Sequence, residues 1–595
     1  MLQKDFVVRE GGSFLFDRAG EHRIFTPEDL TDEQRHIRNA ARQFADRSVL
    51  PRIDAIEGKE PGLMRALLEE AGELGLLMLD IPEKYGGLEQ DKTTTMLVTE
   101  TLTRCASFAV SLGAHVGIGS LPLVYFGTVA QKERYLPRLA TGEWIAAYAL
   151  TEPGSGSDAL AAKTRAELAD DGTHYVLNGS KQWITNAGFA DLFVVFAQVA
   201  GEHFTAFLVE RDTPGFEVGP EEHKHGIKGS STCPLVLTDV AVPAANVLGE
   251  VGKGHRIAFN ILNVGRARLG TGSIGAAKYA LRLAAGYAAE RAQFGRTLDQ
   301  FGLIRAKLGD MAVRIFAGDA LGYRTAGLID KKYAALEALS PGPDDDDFQN
   351  AVEEFTIEAS ILKVYGSEAL DTASDEALQI HGGYGYMAEY AIERVCRDAR
   401  INRIFEGTNE INRLLLAGTL LKRGMKQRVP LMKAMQAVGK ALAGGAAPAL
   451  DPAGDRLVPE QEQVHRMKCA ALYATQQAVS RWMLQIEDQQ EVLGALADVL
   501  IDVYGADSAL ARTLQLPADG PAAAFAADAT TLFIEGARDR VFTRVKQVLC
   551  AALSGDKRDR AFAELALLDH WRPIDVFAVR ERVAAAVVAA GGWPL

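Results

Sequence analysis

The sequence IFEGTNEI at residues 404–411 places one carboxylate, Glu406, between an apolar approach and a glycine, Gly407. Glycine lets the backbone come close to a ligand because it has no Cβ. A carboxylate in apolar surroundings is kept from full hydration, so its pKa rises and it can act as a base towards a weakly acidic proton. A glutamate considered alone is more often a solvated surface residue. The stretch therefore predicts a catalytic carboxylate only if other motifs complete a ligand site.

The composition is that of a large globular protein. With 595 residues the chain is too long for one hydrophobic core, so we expect three or four folding units. Hydrophobic residues make up 48% and charged residues 24%, an ordinary globular balance. The net charge of −14 argues against nucleic-acid binding and against binding to anionic membranes, because both surfaces are negatively charged.

The cysteines and the N-terminus predict a compartment. The five cysteines are dispersed without metal-ligand spacing, which predicts reduced thiols, no metal site and a cytoplasmic location. The first residues lack the charged-then-apolar pattern of a secretory signal. No apolar run is judged to reach the roughly 18 residues of a membrane span. We therefore expect a soluble protein.

Hydrophobic periodicity divides the chain into helical, β and helical parts. Thr26-Pro27-Glu28-Asp29 predicts a helix start, and helical spacing continues to about residue 144. Short β-branched runs follow, with Asn178-Gly179 predicting a two-residue hairpin turn. Helical spacing returns at 255–290, 300–335, 350–375 and 410–423, with a solvated loop at 340–347. An apolar stripe from Val492 to Tyr504 predicts a helix of a separate C-terminal domain. The predicted units are an N-terminal arm (1–27), a helical domain (28–146), a β domain (147–252), a second helical domain with the base (253–428), a linker (429–460) and a C-terminal helical domain (461–595).

Four other segments carry groups suited to a ligand. The loop TEPGSGSD at 151–158 follows an apolar run and can aim N–H groups at a planar or anionic ligand, or it is a tight surface turn. Trp183 and Thr185 offer an aromatic face and a hydroxyl, or Trp183 is a core residue. Arg291 can bridge a diphosphate, or it is a solvated arginine at a helix end. The glycines at 382–385 fit no dinucleotide fingerprint.

In their order, five motifs closely resemble those of the acyl-CoA dehydrogenase family. They are TEPGSGSD (151–158), WITNAG (183–188), RAQFG (291–295), QIHGGYGY (379–386) and FEGTNEI (405–411). The resemblance covers about residues 30–425. It implies a mainly α fold with a small, β-barrel-like domain between two helical domains, and FAD between the β domain and the second helical domain. The extra C-terminal helical domain follows this unit.

The resemblance also implies roles for individual residues. Glu406 corresponds to the catalytic base, and acyl-CoA is the expected substrate. Arg291 and Phe294 would reach FAD from a neighbouring subunit, together with the segment from Gln379 to Gly383. The expected FAD-binding residues are Tyr148, Leu150, Thr151, Gly156, Ser157, Trp183, Thr185, Arg291, Phe294, Gln379, Gly382, Gly383, Thr408 and Glu410, and the expected substrate-binding residues are Ser157, Asn263, Arg266 and Gly407.

The chemistry that the family performs suits these residues. A thioester α-proton is weakly acidic, so a carboxylate must remove it while enolate character is stabilised. In the family the base residue's own backbone N–H donates to the thioester oxygen, and the β-hydrogen leaves as hydride to FAD, giving a trans-2-enoyl-CoA. Some members carry the base on an earlier helix, at a position that is Gly265 here. Glu406 is therefore the expected base.

Within the family, the chain is most similar to the very-long-chain type. Gly302 stands where shorter-chain members usually carry Gln, and the sequence continues well beyond residue 425. Gly113 and Ala114 either widen the acyl channel or serve close helix packing. The resemblance implies fatty acid β-oxidation, a homodimer and an electron-transferring flavoprotein as acceptor.

A stripe of Ala537, Val541, Val545 and Val548 predicts a packing helix in preference to a membrane anchor, since the basic residues around it form no single face.

Three other functions remain under consideration. An acyl-CoA oxidase on the same fold would pass electrons to oxygen. A binding or assembly protein would keep FAD with little turnover, although the intact Glu406 argues against it. A nucleic-acid-binding branch of the superfamily is disfavoured by the net charge of −14.

Overall fold

The computed structural model describes residues 9–339 and 345–595, and two helical regions in it flank a β-sheet. Thr31 caps the first long helix, because its side chain accepts from the Gln34 N–H and the Gln34 side chain accepts from the Thr31 N–H. The predicted start at Thr26 caps only a short 3₁₀ turn, Pro27–Asp29. The helices of this region are α1 (Asp32–Phe44), α2 (Ile53–Glu57), α3 (Leu63–Glu73), α4 (Lys92–Leu102), α5 (Ala106–Gly113), α6 (Leu121–Phe126) and α7 (Val129–Thr141).

The middle region is an eight-stranded sheet in the order β6-β7-β3-β2-β4-β5-β8, with β1 paired in parallel to β4. Strand β4 is buried along nearly its whole length, so it reads as a continuous apolar run. The strands are β1 (Ala146–Ala149), β2 (Arg165–Leu168), β3 (His174–Thr185), β4 (Leu192–Val199), β5 (His203–Glu210), β6 (Phe216–Val218), β7 (Thr232–Pro243) and β8 (Val247–Leu248).

The hairpin predicted at Asn178-Gly179 was wrong. Both residues lie inside the single long strand β3, at a register shift against β7. The Asn178 side chain bonds Asp239 on β7, donating to its carboxylate (3.1 Å) and accepting from its backbone N–H (2.9 Å). A Cβ on Gly179 would lie 2.5 Å from Thr164 Oγ1. The pair therefore forms a bulge with a close backbone approach, which shares its sequence signature with a turn.

The second helical region is built on two very long helices and a third that crosses them. Predicted segments 255–290, 300–335, 350–375 and 410–423 are confirmed as helical. Residues 340–344 of the predicted solvated loop lie outside the described residues, and Asp345 to Asp347 begin a helix instead. The elements are α8 (Gly254–Glu290), a small hairpin of β9 (Ala292–Gln293) and β10 (Arg296–Thr297), α9 (Gly302–Leu339), α10 (Asp345–Glu354), α11 (Thr356–His381), α12 (Ala391–Ala399) and α13 (Asn409–Met425).

Helices α8 and α11 cross with their backbones almost in contact. A Cβ on Gly270 would lie 2.5 Å from the Leu362 carbonyl oxygen, and a Cβ on Gly366 would lie 2.4 Å from the Gly270 carbonyl oxygen. Real Cβ atoms do not approach this closely, so both positions require glycine. Because Gly265 and Lys363 lie within five residues of this crossing, it sets the distance between their side-chain positions.

The extra C-terminal domain packs against helix α9 of the second helical region. Residues 431–443 of the predicted linker form a helix, and the apolar stripes at 492–504 and 537–548 are buried within the chain. Burial of the second stripe agrees with the packing role predicted for it. The helices are α14 (Leu431–Ala443), α15 (Val458–Trp482), α16 (Gln490–Gln515), α17 (Pro521–Ala552), α18 (Gly555–Ala566) and α19 (Val576–Ala590).

One apolar stretch was overlooked in the sequence. Residues 106–126 are long and apolar enough to cross a membrane, and this is the one such helical stretch among the described residues. However, 78% of its apolar window is buried inside the protein, as in the core helix of a globular domain. The stretch packs against β1 and α8.

A pair of alanine substitutions on α8 tests the helix crossing. Gly270→Ala must push apart α8 and α11, and overpacking of this kind costs about 1–3 kcal/mol of unfolding free energy. Gly286→Ala lies on the same helix where an added Cβ would meet no atom within 4 Å. There alanine favours the helix by about 0.5–1 kcal/mol. In calorimetry we expect a lower Tm for the first variant and an equal or higher Tm for the second. Equal Tm values for the two would contradict the close crossing.

Candidate active site

Glu406 lies in a tight turn between a 3₁₀ segment, Arg400–Arg403, and helix α13. Glu406 has φ +57° and Gly407 has φ +78°, so two successive residues adopt the left-handed conformation. That conformation is strained for glutamate and is found where the surroundings enforce it, commonly at functional sites. The carboxylate oxygen Oε2 is buried and has no hydrogen-bond partner in the described structure.

The surroundings of Glu406 shift its protonation. Burial raises the pKa of Glu406 to about 7, while the nearby positive charges of Arg266 and Lys363 partly lower it. Desolvation dominates because it disfavours the charged form of any carboxyl group. A carboxyl group with a pKa near neutrality is half ionised at neutral pH and can both take up and release a proton.

Gly265 on helix α8 provides the space for this carboxylate. A Cβ at Gly265 would lie 2.8 Å from Glu406 Oε2 and 3.1 Å from Oε1. Any side chain at this position would therefore displace the carboxylate. The two positions that the family resemblance gives as alternative places for a base are adjacent in space, and only one of them carries a carboxylate.

A buried lysine and an asparagine hold the Glu406 turn in place. Lys363 on α11 is fully buried, and its Nζ donates to the Gly407 carbonyl (2.8 Å) and to Asn409 Oδ1 (2.7 Å). Asn412 Nδ2 donates to the Gly407 carbonyl (2.8 Å) and to the Thr408 carbonyl (3.0 Å). Neither Lys363 nor Asn412 was identified from the sequence. A lysine within the apolar run around 357–365 was the available signal, because a lysine is almost never fully buried without a partner.

The predicted substrate residues on α8 are also attached to this turn. Arg266 Nε donates to the Glu406 carbonyl oxygen (3.3 Å), and its Nη1 donates to Asn263 Oδ1 (2.7 Å). Asn263 Nδ2 in turn donates to Thr356 Oγ1 (2.9 Å). The structure therefore brings Asn263, Arg266, Glu406 and Gly407 together, with Asn263 and Arg266 buried.

An elongated cavity of about 180 Å³ extends from Glu406 between helices α4, α5, α8 and α12. Its wall is mostly apolar and includes Gly113 and Ala114, for which the sequence left open a role in the acyl channel or in close helix packing. Thr185 of the predicted cofactor set also lines it. Along α8 the lining residues are Gly265, Arg268, Leu269, Gly272, Ser273, Ala276 and Tyr279.

A second group of predicted residues surrounds the end of strand β1. Tyr148 is buried, and its hydroxyl has no hydrogen-bond partner in the described structure. Burial and then the charge of Glu406 raise the pKa of Tyr148 well above 10, so the hydroxyl remains a donor. Leu150 is buried beside it, and the Gln182 N–H donates to the Thr151 carbonyl (2.9 Å), which joins this loop to β3.

The loop 151–158 and Trp183 form an open face. The buried Lys181–Glu152 ion pair (2.7 Å) anchors the loop, while Gly156 and Ser157 are exposed. Trp183 has φ +58° at a register shift in β3, and its side chain is 61% exposed. A bulge that turns a large indole outward, beside an unpartnered buried hydroxyl, suits a flat aromatic ligand such as a flavin ring.

The remaining predicted FAD residues lie at a different surface. A second cavity of about 410 Å³ is lined by Arg291, Gly382 and Gly383. In it the guanidinium carbon of Arg291 lies 5.4 Å from the centroid of the Tyr384 ring. Phe294 is 93% exposed at the tip of the β9–β10 hairpin, and Gln379 is exposed near the end of α11. Among the described residues, the two cavities have no lining residue in common.

Thr408 caps helix α13, with its Oγ1 accepting from the Ile411 N–H, and Glu410 is exposed beside it.

The described residues contain no group of histidine, cysteine, aspartate or glutamate side chains arranged to hold a metal ion. The donors and aromatic faces that are present, namely the Tyr148 hydroxyl, Trp183 and the open glycine loop, fit an organic cofactor with a flat ring.

Comparison with known proteins gives matches over nearly the whole chain. Family models of acyl-CoA dehydrogenases match an N-terminal domain at 31–143, a middle domain at 147–240 and a C-terminal domain at 252–421. A further acyl-CoA dehydrogenase C-terminal domain model matches 466–566. A probable acyl-CoA dehydrogenase of Bacillus subtilis is 45% identical, with 99% of each chain covered. The human mitochondrial very long-chain specific acyl-CoA dehydrogenase is 35% identical over 83% of this chain and 77% of its own length. The crystal structure of an acyl-CoA dehydrogenase complexed with FAD from Bacillus anthracis is 44% identical, with a TM-score of 0.95 over 99% of this chain and 100% of that one.

The raised pKa of Glu406 predicts a stabilising substitution. The folded state disfavours the charged carboxylate, so between pH 4.5 and about 7 the folded protein binds more protons than the unfolded chain. Stability is therefore lost as pH rises through this window. Glu406→Gln removes the penalty, and we expect a gain on the order of 2–3 kcal/mol that is about 1 kcal/mol larger at pH 8 than at pH 6.

Thermal unfolding at the two pH values measures this gain. Glu133→Gln, at an exposed position on α7, serves as the matched control and should change Tm little at either pH. A stability difference that is absent, or that shrinks between pH 6 and pH 8, would show that the Glu406 carboxylate is not desolvated.

Proposed function

The chain belongs to the acyl-CoA dehydrogenase family of FAD-dependent enzymes, and on this premise we propose that it oxidises long-chain acyl-CoA thioesters to trans-2-enoyl-CoA in fatty acid β-oxidation. The observation that carries the proposal is the buried, unpartnered Oε2 of Glu406 at the end of an apolar cavity. A carboxylate in that position has space before it for the α-carbon of an acyl chain.

The proposed reaction assigns a task to each part of the turn. Glu406 takes the α-proton, and its pKa of about 7 lets the ionised form be present at neutral pH. In the part of the chain that the structure describes, the Glu406 backbone N–H has no backbone acceptor, so it is available to the thioester oxygen. The residues around Tyr148 and Trp183 would hold FAD, which when bound would supply the redox chemistry for removal of the β-hydrogen as hydride. Lys363 and Asn412 keep the turn in the conformation that presents both groups.

The cavity dimensions support a long acyl chain. The residues of α8 that line it run from Gly265 to Tyr279, fourteen residues along one helix face. This is ~21 Å at the helical rise of 1.5 Å per residue. An extended acyl chain advances roughly 1.3 Å per carbon, given its bond lengths and tetrahedral angles, so ~16 carbons fit along this wall. The glycine at 113 has no atom within 4 Å of an added Cβ, which keeps the cavity wide there.

The position of the residues expected to bind FAD supports a homodimer. Tyr148, Leu150, Thr151, Gly156, Ser157, Trp183, Thr185, Thr408 and Glu410 would hold the flavin from the chain that carries Glu406. Arg291, Phe294, Gln379, Gly382 and Gly383 line or surround a separate cavity at the surface. We propose that they complete the FAD site of a second copy. An electron-transferring flavoprotein is the proposed electron acceptor, and the cytoplasm the proposed location.

Anaerobic mixing with acyl-CoAs tests the reaction. We expect palmitoyl-CoA to bleach the bound flavin, and Glu406→Gln to slow bleaching at least about 100-fold, the usual contribution of a positioned base. The control Glu133→Gln should bleach at the wild-type rate. If no chain length bleaches flavin in a protein that holds FAD, the enzymatic proposal is wrong and a binding or assembly function is favoured. Rapid reoxidation when air is admitted would instead indicate an oxidase.

Substitution of Lys363 tests how the turn tunes its base. The Lys363 charge lowers the pKa of Glu406, so Lys363→Met should raise that pKa. Because only ionised Glu406 takes a proton, the midpoint of the single-turnover rate against pH should move upward. Lys422→Met, at an exposed position on α13, is the matched control and should leave the midpoint in place. A lower rate at every pH with an unchanged midpoint would assign Lys363 a structural role alone.

A further inference from the structure

Three helices that line the acyl cavity define which of its residues lie far from Glu406. On α8 the lining residues advance from Gly265 beside the carboxylate to Ser273, Ala276 and Tyr279. On the 106–126 stretch, a Cβ on Gly117 would lie 3.4 Å from Nη1 of Arg268, which is three residues after Gly265 on α8. The later lining residues of this stretch are therefore near the Glu406 carboxylate, and those at its beginning are farther away. Helix α12 leads into the Glu406 turn, so its first lining residue, Arg394, also lies at the remote end.

The turn between α4 and α5 borders this remote part of the cavity level with Gly272 and Gly275, and the lining continues along α8 to Tyr279. A Cβ on Gly272 would lie 3.0 Å from Thr103 Cγ2, and a Cβ on Gly275 would lie 2.7 Å from Thr103 Oγ1. Arg104 follows Thr103 and lines the cavity. Arg394 lines the same cavity from α12, which contacts α5. Arg104 and Arg394 therefore both line the cavity near this turn.

Among the described residues, neither guanidinium forms an ion pair with a buried carboxylate. In the described structure Arg394 makes no ion pair within 4.0 Å and no hydrogen bond. On α12 it has two acidic neighbours: Glu393, which is hydrogen-bonded to Arg397, and the buried Asp398, whose pKa burial raises to about 7 against the effect of Arg397 and Arg394. Arg104 pairs with Asp46 at 2.6 Å, but the Asp46 side chain is 47% exposed, so solvent screens that pair.

A buried hydroxyl on α8 faces the same part of the cavity. Ser273 lines the cavity, is 3% exposed, and its Oγ has no hydrogen-bond partner in the described structure. Buried hydroxyls normally make a hydrogen bond, since a buried polar group without one lowers the stability of the fold. An acyl chain that ends in a methyl group would satisfy neither Ser273 nor the arginines.

We propose that the remote end of the acyl cavity is a subsite for a terminal carboxylate, received by Arg394 with Arg104 and Ser273 beside it. The enzyme would then accept ω-carboxyacyl-CoA thioesters, the mono-CoA esters of long dicarboxylic acids, alongside ordinary fatty acyl-CoAs. This inference rests on the proposed function, because it names a substrate class of the same site. Arginine is suited to the role, since its planar fork binds a carboxylate through two parallel hydrogen bonds.

The helix register also gives the length of the preferred diacid. The α4–α5 turn is level with Gly272 to Gly275, seven to ten residues beyond Gly265 on α8. That separation is ~10–15 Å along the helix, or about 8–12 carbon–carbon steps. Dodecanedioyl-CoA therefore matches the span better than a short diacid, whose carboxylate would be left within the apolar part of the cavity.

Steady-state kinetics with a matched pair of substrates tests the subsite. The pair is lauroyl-CoA and dodecanedioyl-CoA, which differ only in the terminal group, used with the FAD-loaded enzyme. We expect the wild-type kcat/KM values to lie within about tenfold of each other. Arg394→Met should raise the KM for dodecanedioyl-CoA at least about tenfold, the scale of one lost charge-assisted hydrogen bond, and leave the KM for lauroyl-CoA nearly unchanged. Arg394→Lys should recover part of the loss.

Several outcomes would overturn the subsite. Wild-type enzyme that oxidises lauroyl-CoA but discriminates against dodecanedioyl-CoA by much more than tenfold would exclude it while leaving the proposed function intact. An Arg394→Met variant that changes both substrates equally would assign Arg394 to structure. If that variant does not fold, Ser273→Ala replaces it, with a smaller loss expected for the diacid alone. Failure of both substrates and of palmitoyl-CoA would instead remove the proposed function on which the inference rests.

Discussion

The close crossing of helices α8 and α11 is the constraint on which the active site depends. Two glycines, Gly270 and Gly366, let the backbones approach until no Cβ fits between them. One turn away, the same two helices present Gly265, which leaves space for the Glu406 carboxylate, and Lys363, which holds the adjacent backbone. If the helices stood farther apart, the lysine would lose its reach to the turn and water would enter beside the carboxylate. A raised pKa at Glu406 is therefore a consequence of glycine placement elsewhere.

The site combines stabilising and destabilising features in a small volume. Glu406 is strained in its backbone and desolvated at its carboxylate, whereas Lys363, Arg266 and Asn412 supply hydrogen bonds that hold it there. Such local costs are sustained when the surroundings over-determine the conformation. The same logic explains Trp183, whose positive φ and exposure present an aromatic face next to Gln182, the residue that joins β3 to the 151–158 loop.

Much of the fold could be predicted from the sequence, because the long helices carry a clear period and the motifs occur in family order. The C-terminal domain was also predicted, since its apolar stripes are regular. The Asn178-Gly179 turn failed because a bulge and a hairpin use the same residues, and only the pairing of β3 with β7 distinguishes them. The buried stretch at 106–126 was overlooked because its glycines and serines dilute the apolar pattern.

Of the candidate site, the proposed base Glu406 and the two separate groups of candidate FAD residues were predicted from local motifs. Lys363 and Asn412 were not, because their importance comes from where they lie relative to Gly407, more than forty residues from Lys363 in sequence. The arginines at the remote end of the cavity were missed for the same reason. Arg104 and Arg394 belong to different domains, and each alone resembles an ordinary surface arginine.

The ion pairs between helix α9 and the C-terminal domain have a consequence for synthesis of the chain on the ribosome. Asp319 is 3% exposed, and it is bound by Lys278 (2.6 Å) and by Arg512 (3.3 Å), which lies 193 residues later. Arg324 on α9 likewise forms an ion pair with Asp507 (2.8 Å), which is synthesised much later. At ~5–20 residues per second the partner of Asp319 emerges about 10–40 seconds after it. During that interval Asp319 on α9 lacks one of its two cationic partners, so the nascent chain cannot complete this burial of charge until helix α16 has been made.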